Sequence, residues 1–141
     1  MEKIINRVLK AMELTFEFYS YISADHLRLN IHNTPSNTIG EQAWCIIGAR
    51  ESYLKALEKG YWVGFSCSLK DCTDKESIVS KLEESEIKLR EFFQGVDFSS
   101  LDVDILVDLL EHEVQHHGQL IRFSYSNKIG FPKSWNARYT V

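Results

Sequence analysis

Apolar residues recur every three or four positions along four stretches of the sequence, and this spacing constrains the fold more than any other feature. In the first stretch, from Glu2 to about Tyr21, residues such as Ile5, Leu9 and Met12 alternate with charged residues. An α-helix, with about 3.6 residues per turn, brings such positions onto one face. No stretch shows the strong period-two alternation of a β-strand. The pattern predicts an all-α protein built from amphipathic helices.

The second predicted helix has clear signals at both ends. Thr38-Ile39-Gly40-Glu41 fits a capping box, in which the Thr hydroxyl and the Glu carboxylate each satisfy a free backbone N–H of the first turn. The helix is expected to run to about Lys59, with Gly60 as its stop. The segment from Tyr61 to Cys72 has no helical period and is expected to be a long connection that crosses the bundle.

The third and fourth helices follow from the same signals. Thr73-Asp74-Lys75-Glu76 also fits a capping box, and the apolar stripe after it ends at Gly95. The fourth helix is predicted to begin at Ser99 or Ser100 and to end near Asn127.

The C-terminal tail, Gly130-Phe131-Pro132-Lys133-Ser134-Trp135, carries two large aromatic side chains and is expected to fold back on the end of the bundle. Four helices, two short connections and one long connection predict a four-helix bundle with one long crossover. This bundle is predicted to form a single domain over residues 1–141.

The composition argues against several classes of partner. The chain has 141 residues and a formal net charge of -4. Nucleic acids and anionic membranes favour a basic protein face, so neither is an expected partner. Residues 1–20 are interrupted by charges such as Lys3, Arg7 and Lys10, which excludes a signal peptide or a membrane span. We therefore expect a soluble, cytoplasmic protein.

Most of the cysteines and two of the histidines offer no clear ligand pattern. An odd set of three cysteines without an export signal predicts reduced thiols and no disulfide framework. Cys67 and Cys72 are spaced loosely for a metal site and are interpreted as ordinary loop thiols. His26 and His32 have no partner at ligand spacing and are interpreted as surface or structural residues.

The other three histidines lie within six positions of the fourth helix. His112 and His116 are four residues apart, so both can approach one metal ion from the same helix face. The letters around them, including Glu113, also satisfy the HExxH motif of zinc proteases. Those enzymes need a third ligand downstream, but residues 118–141 contain no Glu, His or Asp. We therefore reject the protease interpretation.

Two interpretations of the histidine pair remain open on the residues alone. In the structural one, His112 and His116 are buried, neutral and hydrogen-bonded to neighbouring helices. Unpaired buried polar atoms cost about 1–3 kcal/mol each, so this interpretation needs several partners. In the other, a single metal ion satisfies both imidazoles and a third ligand comes from another helix.

Three segments together resemble one known family, the DinB-like (damage-inducible) proteins. The matching segments are Thr38-Ile39-Gly40-Glu41-Gln42-Ala43-Trp44-Cys45-Ile46, Asp108-Leu109-Leu110-Glu111-His112 with His116-His117-Gly118-Gln119-Leu120, and Gly130-Phe131-Pro132-Lys133-Ser134-Trp135. The resemblance covers essentially the whole chain. It implies a four-helix bundle, commonly a homodimer, with a divalent metal held by a His of the second helix and an H-x3-H pair of the last long helix.

The resemblance assigns the H-x3-H pair to His112 and His116, and its second-helix ligand position falls on Cys45 in place of His. A thiolate binds zinc and other late transition metals well, so Cys45, His112 and His116 form a plausible ligand set for zinc or nickel. Alternatively, the cysteine marks a site that has weakened or been lost.

Three neighbouring residues are candidates for supporting the ligands. Gln42 lies one turn before Cys45, and His117 stands where the family often has Arg. Glu113 lies about 100° round the helix from His112, beside the site and not in it.

The resemblance also implies two functions of different classes. Some relatives are thiol-dependent transferases and isomerases, which predicts a metal-dependent enzyme acting on a small molecule by thiol transfer or hydrolysis. Many relatives have no assigned activity, which leaves a catalytically inactive, dimeric helical stress-response or binding module with a degenerate metal site.

Overall fold

The computed structural model describes residues 1–141 and is all-helical, as the apolar spacing predicts. The helices are α1 (Glu2–Tyr21), α2 (Ile39–Lys59), α3 (Lys75–Gly95), α4 (Val103–Asn127) and α5 (Lys133–Tyr139), with short 3-10 helices at Ala24–Arg28 and Phe98–Ser100. No helix has both the length and the apolar character needed to cross a membrane.

The four long helices pack with α1 and α2 each against both α3 and α4. Their buried apolar side chains form two separate clusters. The first includes Leu14, Phe18, Ile46, Leu82 and Leu120. The second includes Val8, Met12, Leu57, Leu89 and Leu106. Helices α1 and α4 pass from the second cluster to the first, and α2 and α3 pass in the opposite direction.

Buried polar side chains lie between the two apolar clusters. Each of them is at most 5% exposed and lies in the interior of its helix, away from both ends. This polar layer consists of Thr15, Arg50, Ser85, Glu113 and His117. A helix face that was apolar along its whole length would contain no such residues. Each of the four long helices contributes at least one residue to the layer.

The predicted ends of α2 are confirmed. The Thr38 hydroxyl accepts a hydrogen bond from the Glu41 N–H at 3.2 Å, and the Glu41 carboxylate accepts one from the Thr38 N–H at 2.8 Å. Gly60 follows the helix with a φ of +78°, a left-handed conformation that glycine adopts without strain.

The predicted starts of α3 and α4 need correction. At α3 the cap is Asp74, whose carboxylate accepts from the Ser77 N–H at 3.2 Å, because the Thr73 hydroxyl donates instead to Asp71 at 2.7 Å. The predicted capping box at Thr73 is therefore wrong. Helix α4 begins at Val103 and not at the predicted serines, because the Asp102 carboxylate caps it.

The segment from Tyr61 to Cys72 contains no helix or strand and runs back along the outside of α2. Ser66 donates its N–H to the Ser52 hydroxyl at 3.0 Å, and the Ser68 N–H donates to Glu51 at 2.9 Å. At the far end, the Cys72 carbonyl lies against Gly40. Helix α3 therefore begins beside the start of α2.

Substituting Gly40 by alanine should destabilise the protein more than substituting Gly48. A Cβ at Gly40 would lie 1.8 Å from the Cys72 carbonyl oxygen, whereas one at Gly48 would meet the movable ring of Phe65 at 2.3 Å. Overpacking costs about 1–3 kcal/mol. We expect a loss near the upper end of this range for Gly40→Ala, because a backbone carbonyl cannot rotate away as a side chain can. Urea unfolding of both variants measures the difference, and equal losses would contradict this close approach.

The tail folds back on its own chain, as predicted, and its last part forms α5. Trp135 is fully buried against Phe18 and donates its indole N–H to the Leu14 carbonyl at 2.7 Å. The tryptophan therefore belongs to the core of its own chain.

Candidate metal centre

Cys45, His112 and His116 come together between α2 and α4. One ligand atom from each residue lies within 4.8 Å of the others, and these residues form the single group of three or more His, Cys, Asp or Glu in this structure that could hold a metal ion. Four-coordinate zinc with bonds of about 2.0–2.3 Å separates its ligand atoms by about 3.3–3.8 Å. Small side-chain rotations would therefore bring all three donors onto one ion.

The pair of histidines on α4 meets as the four-residue spacing predicts. The ring centres of His112 and His116 are 4.6 Å apart. The Nδ1 atom of His112 is buried without a hydrogen-bond partner. An orphaned imidazole nitrogen beside a thiol and a second imidazole is expected where a metal ion supplies the missing partner.

A hydrogen-bonded chain orients His116 toward the other two donors. The Gln42 amide donates to the Asn37 side-chain carbonyl at 2.8 Å, which turns the Gln42 carbonyl toward His116. This carbonyl accepts the Nδ1–H of His116 at 2.5 Å. With the proton fixed on Nδ1, the Nε2 lone pair is free to bind a metal. Gln42, predicted only from its place one turn before Cys45, therefore contacts a candidate ligand directly.

The charge states of the three donors suit a metal ion once the Cys45 thiol loses its proton. Burial lowers the pKa of His112, and burial together with the adjacent His112 lowers the pKa of His116 to about 4. Both imidazoles are neutral at neutral pH, which is the form that binds metal. Burial also raises the pKa of the Cys45 thiol, so this thiol holds its proton until a cation displaces it.

One side of the site opens to solvent. A depression of about 320 Å³ is lined by Tyr53, Asp108, Glu111, His112 and Gln115. The Tyr53 ring centre lies 6.4 Å from that of His112. Of the three donors, only His112 lines this depression. Three protein donors leave a tetrahedral ion one position for a further ligand, as in catalytic zinc sites.

Glu113 and His117 do not join this donor group. They belong to the polar layer, where the Thr15 hydroxyl donates to Glu113 and lies 2.7 Å from Nε2 of His117. Nδ1 of His117 lies 2.6 Å from the Tyr139 hydroxyl. The sequence pattern predicts an inward series on α4 of Ile105, Leu109, His112, His116, Leu120 and Phe123. Four of these residues are buried, whereas Ile105 and His112 are half-buried, and Glu113 is fully buried beside them.

Arg50 is the residue that sequence reasoning missed. It is fully buried, and its guanidinium donates to both carboxylate oxygens of Glu113, at 2.5 and 3.2 Å. It also donates to the carbonyls of Met12 and Leu82, both at 3.1 Å. Burial raises the pKa of Glu113, but the attraction of Arg50 outweighs this effect and holds it at about 2. The available signal was a charged residue on the apolar stripe of α2.

Replacing Gln42 by alanine should weaken zinc binding by about 10- to 100-fold, the usual effect of removing a group that orients a ligand histidine. The protein should remain folded, because Gln42 contacts only Asn37 and His116 through its side chain. A zinc titration against a competing chelator measures the affinity. Gln115→Ala, which removes a similar amide from the solvent side of the site, is the matched control, and equal affinities for both variants would contradict the orienting role.

The metal-free protein should lose stability as the pH falls below about 6.5. Folding lowers the pKa values of His116 and His117 from 6.5 to about 4. Between pH 6.5 and pH 4 the unfolded chain therefore binds protons that the folded chain does not, and stability is lost over this range. Each proton contributes about 1.4 kcal/mol per pH unit. Loss of the Glu113 charge adds to this only between about 4.5 and 2. Urea unfolding from pH 7 to pH 4.5 tests the slope, and a flat profile would contradict it.

Comparison of the sequence with models of known protein families and with curated proteins finds no match.

Proposed function

We propose that this chain is a metal-dependent enzyme of the DinB-like family that acts on a small molecule by thiol transfer or hydrolysis. The observation that carries the proposal is the convergence of Cys45, His112 and His116 from two helices that are separate in sequence. The three segments that resemble the family contain all three residues. The ligand set proposed is one thiolate and two imidazoles.

The arrangement of helices supports the family proposal. The resemblance implies a four-helix bundle with one long crossover connection, and the segment from Tyr61 to Cys72 returns along α2 to the place where α3 begins. We interpret this segment as that crossover. Helices α2 and α3 therefore run in the same direction, and α4 packs against α2 with His112 and His116 beside Cys45.

Zinc or nickel is the proposed metal, because mixed thiolate and imidazole ligands favour late transition metals. A divalent ion in this position would lower the pKa of a thiol or water bound beside it and so supply a nucleophile at neutral pH.

The protein's own residues have separate roles in this proposal. Gln42 holds the proton of His116 on Nδ1 and thereby fixes the ring orientation. Cys45 releases its proton when the site is filled. The depression beside His112 receives the small substrate, with Tyr53 as one wall and the carboxylates of Asp108 and Glu111 at its edge.

The proposed activity is tested with protein loaded with zinc or nickel. The rate at which a small thiol reacts with a model electrophile, and the rate of hydrolysis of an activated ester, are measured against buffer containing the same metal. One of the rates should rise with wild-type protein and with His32→Ala, which removes an exposed histidine elsewhere. The rise should be lost in the double variant His112→Ala, His116→Ala. Equal rates for all three proteins would contradict the proposal.

A second candidate, an inactive dimeric binding or stress-response module, is favoured by one observation. Several large apolar side chains are exposed on α2 and the segment after it: Trp44, Tyr61, Trp62, Val63 and Phe65. The homodimer that the resemblance implies would cover such apolar surface. Trp62, half exposed, is the residue to substitute: light scattering should show a dimer for wild type and a monomer for Trp62→Glu. A monomeric wild type would contradict the dimer.

A further inference from the structure

A second cavity lies between α1, α4 and α5, on the opposite side of α4 from the candidate metal centre. Its volume is about 180 Å³. The α4 residues that line it, Leu110 and Val114, alternate with His112 and His116, and two positions along a helix correspond to a rotation of about 200°. A ligand in this cavity therefore has no access to the metal donors.

Three cations surround the cavity, and its lining contains no carboxylate. They are Arg7 and Lys10 of α1 and Arg138 of α5. Lys10 pairs with Glu13 at 2.8 Å, but neither Arg7 nor Arg138 forms an ion pair. The Arg138 guanidinium lies over the Tyr139 ring, 5.3 Å from its centre, without a carboxylate partner. In a chain with a net charge of -4, a cavity lined by three cations, two of them without a carboxylate partner, favours an anion.

The body of the cavity is apolar, so charge alone does not describe it. Leu14, Leu110 and Val114 contribute to its walls. Tyr139 contributes another wall, which its hydrogen bond to His117 holds in place. An apolar cavity of about 150 Å³ accommodates benzene. The volume therefore suits a ring or a branched chain of similar size, with one anionic group directed at the cations.

We propose that this cavity binds a small amphipathic carboxylate, of about the size of benzoate, with its carboxylate between Arg7 and Arg138 and its apolar body against Leu14, Leu110 and Val114. The ligand links α5 to α1 and α4. This site is independent of the metal centre and of the function proposed for it.

Isothermal titration of the 141-residue chain, with and without added zinc, tests the proposal with three probes. Benzoate should bind saturably with one site per chain. Benzamide, which has the same shape without the charge, and inorganic phosphate, which has the charge without the apolar body, should each bind at least about tenfold more weakly, since a charge-assisted hydrogen bond and apolar burial each contribute that much. Methyl NMR signals of Leu110 and Val114 should shift with benzoate.

Two variants locate the carboxylate. Arg7→Gln and Arg138→Gln should each weaken benzoate binding by about tenfold or more, because each removes a charged donor. Arg122→Gln removes an exposed cation farther along α4 and should leave the affinity unchanged. Absence of saturable benzoate binding, equal binding of benzamide or phosphate, or unchanged affinity in both arginine variants would each overturn the proposal.

Discussion

Replacing Arg50 by methionine should lower the free energy of unfolding by about 3–5 kcal/mol, the usual cost of removing one partner from a buried ion pair. The substitution leaves the Glu113 carboxylate buried between two apolar clusters with only the Thr15 hydroxyl and His117 near it. It also leaves the carbonyls of Met12 and Leu82 without the donor that Arg50 supplies. Three helices, α1, α3 and α4, lose a shared partner on α2 at once.

A matched control separates the effect of burial from the effect of losing a cation. Arg90 pairs with Glu86 at 2.7 Å on the surface of α3. Because exposed pairs contribute about 0–1 kcal/mol, Arg90→Met should have little effect. The double variant Arg50→Met, Glu113→Met should recover much of the lost stability, because no buried charge remains. Urea unfolding measures the free energy of unfolding of all three variants. Similar losses for Arg50→Met and Arg90→Met would contradict the claim that the buried ion pair stabilises the fold.

The largest effect on metal binding should come from the α4 histidines. Zinc-finger peptides bind zinc with an apparent free energy of about 10–16 kcal/mol through four ligands, or about 2.5–4 kcal/mol per ligand. Each ligand therefore contributes about two to three orders of magnitude in affinity. His112→Ala or His116→Ala should each weaken zinc binding by that factor, and the double variant should bind no zinc at micromolar concentrations. His32→Ala is the control.

The cysteine requires its own comparison. Cys45→Ser should weaken zinc binding to a similar extent, whereas Cys67→Ser, which changes a similarly half-buried thiol bonded to the Trp44 carbonyl, should not. Cys45→His should keep the metal and change the preference between zinc and nickel. If the wild type bound no metal and Cys45→His acquired it, Cys45 would be the change that disabled the site.

Local chemistry explains why the helices could be predicted from the sequence. The Thr38 and Glu41 side chains close a capping box within four residues, and Gly60 supplies the left-handed turn that follows. Such signals act over one helical turn, so neighbouring residues suffice to identify them. The four-residue spacing of His112 and His116 is local in the same sense. The start of α3 was mispredicted because Thr73 and Asp74 are both good caps, and only the bond from Thr73 to Asp71 decides between them.

The polar layer and the support of His116 could not be predicted in this way. Periodicity places Arg50 on one stripe and Glu113 near another, but it does not say that the two stripes face each other 63 positions apart in sequence. The link from Asn37 through Gln42 to His116 also joins a loop to two helices. Its existence depends on which residues of α4 and α2 face each other, and the helical period alone does not fix that pairing.

The most direct test of the central claim is elemental analysis of purified, untagged protein after supplementation with zinc and nickel. About one ion should be retained per chain, as expected of a single site with three protein ligands. The double variant His112→Ala, His116→Ala, purified in parallel, should retain none. If the wild-type protein holds no stoichiometric metal, or if the double variant retains as much as the wild type, then Cys45, His112 and His116 are not a metal centre.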